Sequence, residues 1–437
     1  MLRTFFRVIL LFLIIFNFKL PYIYYSSSLS VILAACYYVY FKNTIPFTFF
    51  FKKYNFIIFI GLICTILICA FIAITRNTYE ITLVKVFVLQ LFMLSCLVFC
   101  LPVLIEGKES SSFEEAMKIV VYAFVLQGLI QFLGFTIPAV GSWLISIKEE
   151  YIQDFLLNGP FDIYFRGYVL AGQPFFELPA GYGIAFVLLF RILLIDGQKL
   201  ITGYKIYICL FLLLFGSLLT GRTAFVGLGM GALMCLFIFR KPIKTLISLL
   251  QTTILFLLFL FVVFLFMPSQ RQTALVNHVF PFAFEMFYQY EETGRLSTHS
   301  TDIMLYDHYY EIPEDVMFRG TGRYLKSDGY YGDTDAGYMR TVLYGGVFYL
   351  LYLIFYQTLY FYEPLLISKR NKTHQSWADF VCIGTLFLYL FVLELKAEAL
   401  ASQNITEVIL LFLGSSFMVR HYDRVEKRRN LVAGLAG

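Results

Sequence analysis

Apolar runs of roughly 20 residues recur along most of the chain, the length a helix needs to cross a hydrocarbon layer of ~30 Å. Inside such a layer only helices and closed barrels satisfy their own backbone groups. Continuous runs of this length, rather than short alternating ones, select helices. The first two runs are not expected to be a cleavable leader, because further runs follow at close spacing. The expected fold is all-α: a polytopic membrane protein of about twelve transmembrane helices, with a long loop on its outer face that contains short helices.

Helices are predicted at about 4–20, 22–41, 55–75, 81–104, 117–138, 177–195, 203–220, 223–240, 246–267, 336–362, 377–396 and 401–419, each able to span with a modest tilt. An even number returns both termini to one side. Basic clusters choose that side. Arg3 and Arg7 open the chain; Lys42, Lys52 and Lys53 follow the second helix; Arg240, Lys241 and Lys244 follow the eighth. Lys369, Arg370 and Lys372 follow the tenth, and Arg420, Arg424, Lys427, Arg428 and Arg429 lie in the tail. All fall on one face, which the positive-inside rule makes cytoplasmic. A missed helix would scatter them over both faces.

Three regions follow. Residues 1–267 hold helices one to nine, with a first outer loop at about 139–176. Residues 268–335 form the large outer loop, and 336–437 hold the last three helices and the tail. The final stretch Leu431–Gly437 is expected to be a free tail. The large loop far exceeds an ordinary connection. Its many Phe and Tyr residues, among them Phe280, Phe287, Tyr306, Tyr310, Tyr324 and Tyr331, argue against disorder. Short helices resting on the membrane surface are expected instead. All eight cysteines fall in apolar runs and none in this loop, so it is not a disulfide-stapled module.

Two arginine sites carry the chemistry. Thr220-Gly221-Arg222-Thr223 is wedged between two apolar stretches. Asp333-Thr334-Asp335-Ala336-Gly337-Tyr338-Met339-Arg340 marks the return of the long loop into the membrane. An arginine at the hydrocarbon edge demands an anionic partner. Its planar fork of donors suits phosphate oxygens. Arg166, Arg222, Arg295, Arg319, Arg323 and Arg340 all fall at or outside the outer boundary, where a phosphate-bearing lipid would present its anion. Each has an alternative role, snorkelling or pairing with a nearby carboxylate.

The large loop is net acidic, with eleven Asp and Glu against five Lys and Arg over 268–335. Carboxylates interleaved with aromatic rings suit sugars, whose hydroxyls donate and whose apolar faces stack. A solvated acidic surface is the simpler reading for most of these groups. Asp335 stands apart, beside Gly337 at the water–lipid boundary. Two roles are open to it and are compatible: general base towards a sugar hydroxyl, or cap of the helix that follows. Gly227, Gly229 and Gly231, and likewise Gly345 and Gly346, read as close-packing positions. No nucleotide-binding loop appears. His299 and His308 lack the spacing and companions of a metal site, so no metal and no cofactor are expected. Glu394, Lys396 and Glu398 read equally as an internal ion-pair cluster or as part of the site.

Three segments resemble the O-antigen polymerase family and its relative, the O-antigen ligase family. Leu218-Leu219-Thr220-Gly221-Arg222-Thr223-Ala224 is similar to their S/T-x-R-T/S-A helix start. Gly294-Arg295-Leu296, with Phe318-Arg319-Gly320-Thr321-Gly322 downstream, resembles their outer-loop G-x-R and G-x-G. Asp335-Ala336-Gly337-Tyr338, with Gly345-Gly346, resembles the polymerase D-S/A-G-Y entry into a helix ending in G-G. Arg166-Gly167, Gln173-Pro174 and Glu177 add a fourth match.

The resemblance implies a metal-independent membrane glycosyltransferase of the bacterial inner membrane, with both termini cytoplasmic and the long loop periplasmic. It implies that repeat units carried on undecaprenyl pyrophosphate are joined there into polysaccharide for lipopolysaccharide. Donor and acceptor are both lipid-linked oligosaccharides. Membrane lipids and a chain-length regulator are further expected partners, and nucleic acid is not. Asp335, Arg222 and Arg295 are the catalytic candidates; Arg166, Arg319, Arg340, Tyr338 and Glu177 are the substrate-binding ones. Ligases have a histidine where this chain has Asp335, which favours a polymerase. The alternatives are a ligase that transfers glycan to lipid A-core, and a lipid-linked oligosaccharide flippase. A flippase would need ionisable groups in many spans; here mid-span charge is sparse, Lys85 being one case.

Overall fold

A computed structural model describes residues 2–20, 23, 25–41, 52–105, 112–148, 152–154, 156, 166–172, 175–193, 204–238, 254, 258, 261, 264–265, 269–274, 276–277, 280–295, 297–326, 329–370, 373–401 and 404–436. The chain is predominantly helical. Lys53–Thr75, Thr82–Ile105, Phe113–Thr136, Gly337–Arg370 and His374–Glu394 are long and apolar enough to cross a membrane. Ser26–Tyr40, Lys205–Thr220 and Thr223–Ile238 are shorter apolar helices. Helices stand at the positions expected from the apolar runs, except 246–267, most of which lies outside the described residues. So do Lys42, Gln173, Pro174, Arg240, Lys241, Lys244, Leu296 and Lys372.

Three expectations need correction. The last helix runs Asn404–Ala436 and takes in Leu431–Ala436, which had been set apart from it as a tail. The large loop contains short helices (Phe280–Ala283, Glu285–Thr293, His299–Tyr306 and Glu314–Arg319 among them), but also an antiparallel hairpin pairing Leu325 with Tyr330. Its two-residue strands are too short to give a period-2 signal. Gly229 does not share the packing role of its neighbours, as described below.

The chain divides into two compact units. The first comprises Met1–Ile15, Ser27–Met117 and Asp302–Gly437. Tyrosines fix the register of its helices. Tyr54 donates to the Tyr360 carbonyl at 2.8 Å, Tyr352 to that of Gly61 at 2.7 Å, and Tyr344 to that of Cys69 at 3.1 Å. These pairs step in opposite directions along Lys53–Thr75 and Gly337–Arg370, so the two helices run antiparallel. In an apolar layer such side-chain bonds across helices replace the hydrophobic drive that water supplies elsewhere.

One end of this unit is held by buried charge. Arg420 Nη1 lies 3.0 Å from Glu114 Oε1 and 3.3 Å from Asp379 Oδ2. Thus residue 420 and the starts of the helices Ser112–Thr136 and His374–Glu394 share that end. The opposite end carries the turn 76–81, the start of Gly337–Arg370 and the turn after Glu394. The segment from Asp302 to Ala336 folds onto it.

The second unit comprises Phe16–Ser26 and Lys118–Thr301. Its core gathers Phe135, Leu144, Ile145, Tyr168, Phe215 and Leu219. Gly227 and Gly231 bring Thr223–Ile238 against Glu177–Leu193: a Cβ on Gly227 would stand 2.3 Å from Gly183 Cα, and one on Gly231 2.5 Å from the Phe190 ring. Gly229 faces open space. Four residues apart, Gly227 and Gly231 lie on one helical face, and Gly229 lies off it.

Candidate functional site

In the first unit, loop and helix ends are joined mainly by backbone hydrogen bonds. Arg76 Nη2 donates to the Arg319 carbonyl at 2.9 Å, and Thr78 Oγ1 to that of Gly322 at 2.8 Å. Glu80 accepts from the amides of Tyr324 at 2.8 Å and Leu325 at 2.9 Å, which anchors the hairpin.

The Gly320-Thr321-Gly322 segment completes a broken helix. Gly346 takes φ +77°, ψ 179° and interrupts Gly337–Arg370. The carbonyls of Leu343 and Tyr344, exposed by that break, accept instead from the amides of Thr321 at 2.7 Å and Gly322 at 2.9 Å. Backbone groups freed at membrane depth must find such partners. A Cβ on Gly346 would lie 2.3 Å from the Phe318 carbonyl oxygen. Gly346 is therefore a hinge of dihedral necessity, not merely the close-packing position expected. The loop G-x-G and the helical G-G are two halves of one joint.

Arg340 sits one turn into this helix and is buried. Its Nη2 lies 3.3 Å from Glu398 Oε2, and its guanidinium stacks 3.5 Å from the Tyr330 ring centre and 4.5 Å from that of Tyr324. Tyr324 donates its hydroxyl to the same Glu398 oxygen. Burial, and then the Glu398 charge, push the Tyr324 phenol well above its ordinary value, so it keeps the proton it donates. Next to them, Glu394 accepts from Thr341 Oγ1 at 3.4 Å and from the amides of Ala399 and Leu400. Glu398 is thus held by an ion pair and a phenol, and Glu394 by a hydroxyl and two backbone amides. Arg340 pins the hairpin and the turn after Glu394 to the helix start, where a substrate-binding role had been expected.

Asp335 is exposed, and its carboxylate makes no hydrogen bond or ion pair among the described residues. The adjacent Thr334 is the residue bonded here: its Oγ1 accepts from the Ala336 amide, just before the helix, at 3.2 Å and donates to the His308 carbonyl at 2.9 Å. Tyr338 donates to the Phe391 carbonyl at 3.2 Å. The Arg319 side chain is exposed. Among the described residues no cluster of His, Cys, Asp or Glu could hold a metal ion.

An open cleft of about 1040 Å³ lies at this end of the unit, between the turn 77–82 and the loop. Thr78, Glu80, Tyr310, Arg323, Tyr331 and Asp333 are among its walls. It was not foreseen, because its two sides, residues 77–82 and 310–343, lie far apart in sequence. Among the described residues, three of the four non-glycine ones with positive φ lie at this end: Asn77 at 53°, Tyr79 at 50° and Asp333 at 53°. Asn and Asp tolerate this conformation, whereas Tyr79 holds it only under constraint from its surroundings.

In the second unit, Arg222 occupies a two-residue turn between Tyr204–Thr220 and Thr223–Ile238. It forms an ion pair with Glu285, and both side chains are mostly enclosed. Glu285 also accepts from the His299 amide at 2.7 Å. The anion demanded by this arginine is thus supplied by the protein's own loop. Arg295 is exposed, just past the Gly294 left-handed cap. Arg166 and Glu177 are partly buried, Glu177 in the first turn of Glu177–Leu193. Lys148 is buried and donates to the carbonyls of Val169 and Ala171, holding the segment 166–172.

Comparison with protein-family models, with curated proteins and with solved structures finds no match for this chain.

Proposed function

We propose that this chain is a polysaccharide polymerase of the O-antigen type, joining undecaprenyl-pyrophosphate-linked oligosaccharides at the periplasmic face of a bacterial inner membrane. The observation that carries the reading is the cleft of about 1040 Å³ at the loop-bearing end of the first unit, walled by tyrosines, threonines and charged groups. Its size is at the upper limit of small-molecule sites, which suits several linked sugars better than one. In this reading the chain crosses the membrane twelve times with both termini cytoplasmic, and the loop end is periplasmic. The separation of the Arg420 end from the loop end in the first unit agrees with that assignment.

Roles follow from what each side chain has free. Asp335 offers an exposed carboxylate with no hydrogen-bond partner among the described residues, as a base towards an acceptor hydroxyl requires. Arg295 presents an exposed guanidinium suited to a departing pyrophosphate. Arg222 would take phosphate oxygens only by exchanging them for Glu285.

The test uses purified protein in nanodiscs with a synthetic undecaprenyl-pyrophosphate tetrasaccharide. A ladder of longer lipid-linked products is expected, and its loss in Asp335→Asn at unchanged folding. No ladder from the wild-type protein with any repeat unit drawn from its own host would overturn the proposal. Transfer of a single glycan onto a lipid core would identify a ligase instead.

A further inference from the structure

We infer that the cleft of the first unit binds an anionic oligosaccharide, one bearing a carboxylate or phosphate on a sugar, and that Arg323 reads that charge. The inference rests on the polymerase reading and names the substrate class of its site.

Commitment of charge decides the matter. Glu80, Arg323, Lys326 and Asp333 are the charged residues lining the cleft among those described. Both carboxylates are engaged: Glu80 holds two hairpin amides, and Asp333 is paired with Lys326. Lys326 is thereby engaged as well. Arg323 is exposed, and among the described residues its side chain makes no hydrogen bond or ion pair; its backbone amide donates to Thr321 Oγ1 at 3.2 Å. Among the described residues of the cleft, the one uncommitted charge is a guanidinium, although the loop as a whole is acidic. A planar fork of this kind grips a carboxylate or phosphate through two parallel hydrogen bonds.

The rest of the wall suits a sugar. Tyr310 and Tyr331 offer ring faces, and Asn77, Thr78 and Thr82 offer short polar groups. Asn77 and Asp333, two of the residues with positive φ, both line the cleft. A neutral glycan would leave the Arg323 charge without a partner in the bound state; an acidic one supplies it.

The experiment is a calorimetric titration of the full chain in nanodiscs. The probes are trigalacturonate, its methyl ester, maltotriose carrying a 6-phosphate, unmodified maltotriose, and inorganic phosphate. At least one acidic saccharide is expected to bind roughly tenfold more tightly than its neutral counterpart, the scale of one charge-assisted hydrogen-bonded contact. That preference should fall in Arg323→Gln and reverse in Arg323→Glu. The two acidic arms show whether carboxylate or phosphate is the charge recognised. Equal binding of acidic and neutral saccharides, or an unchanged preference in Arg323→Gln, would overturn the inference and leave the polymerase reading standing. Inorganic phosphate binding as tightly as the acidic saccharides would reduce the cleft to an anion site and overturn it too. The polymerase reading is judged separately, by the product ladder.

Discussion

The guanidinium of Arg340 lies 3.3 Å from the carboxylate of Glu398, with both side chains almost wholly enclosed. Removing one partner of such a pair leaves a buried charge alone and costs about 3–5 kcal/mol. Arg340→Met is therefore expected to lower the unfolding midpoint sharply in detergent. The double variant Arg340→Met/Glu398→Met should recover much of the loss, because an apolar pair leaves no charge stranded. Thermal unfolding of the three proteins checks this, and a single variant as stable as wild type would refute it.

Gly346→Ala must place a Cβ against the Phe318 carbonyl and hold a left-handed φ. A loss of about 1–3 kcal/mol is expected from the dihedral alone. Hydrogen exchange should rise first at the amides of Thr321 and Gly322, which depend on the break for their acceptors. Unchanged protection at those two amides would show that the joint does not need the glycine.

The pair Arg222–Glu285 separates two roles for one arginine. A purely structural Arg222 makes Arg222→Gln and Glu285→Gln equivalent: both loosen the loop and increase its proteolysis. An Arg222 that also holds pyrophosphate makes Arg222→Gln abolish the product ladder, while Glu285→Gln retains it. Chain-length gels together with limited proteolysis distinguish the outcomes.

Glycine positions two residues apart should respond oppositely. Gly227→Leu collides with the Gly183 backbone and is expected to destabilise the second unit by several kcal/mol, as overpacking does at its worst (typically ~1–3, occasionally more). Gly229→Leu points into open space and should leave the midpoint near that of the wild type.

Lys148 gives a pH dependence with a defined sign. Burial pushes it down to about 7 from an ordinary 10.5. Below about pH 7 both folded and unfolded chains carry the proton, and the folded one bears the full penalty of a buried charge. Between about 7 and 10.5 the unfolded state binds more protons, so this group's contribution to stability rises with pH, by at most ~1.4 kcal/mol per unit. Lys148→Met should flatten that rise. Midpoints at pH 7 and 9.5 for both proteins measure it.

Much of the architecture was legible because a run of apolar residues states its own length. The helix Lys53–Thr75 was expected to begin within two residues of its observed start. Pairings across distant segments were not legible. Nothing near Arg340 in sequence announces Glu398, and nothing near Glu80 announces the amides of Tyr324 and Leu325. Gly346 could be seen as a glycine but not as a break, since only the neighbouring loop shows which carbonyls it frees. Asp335 could be singled out by its position beside Gly337, but not that its carboxylate would stay exposed, with no hydrogen bond among the described residues, while Thr334 takes the Ala336 amide. The cleft escaped notice because no single stretch of sequence contains it.

The rupture at Gly346 ties the fate of a loop to that of a helix. Lifting Thr321 and Gly322 away would strand the oxygens of residues 343 and 344 with nothing to receive. In a greasy surrounding that would be as disfavoured as unwinding a turn. The segment 320–322 and the stub 337–345 are thus mechanically one piece, and a displacement of either must carry the other with it.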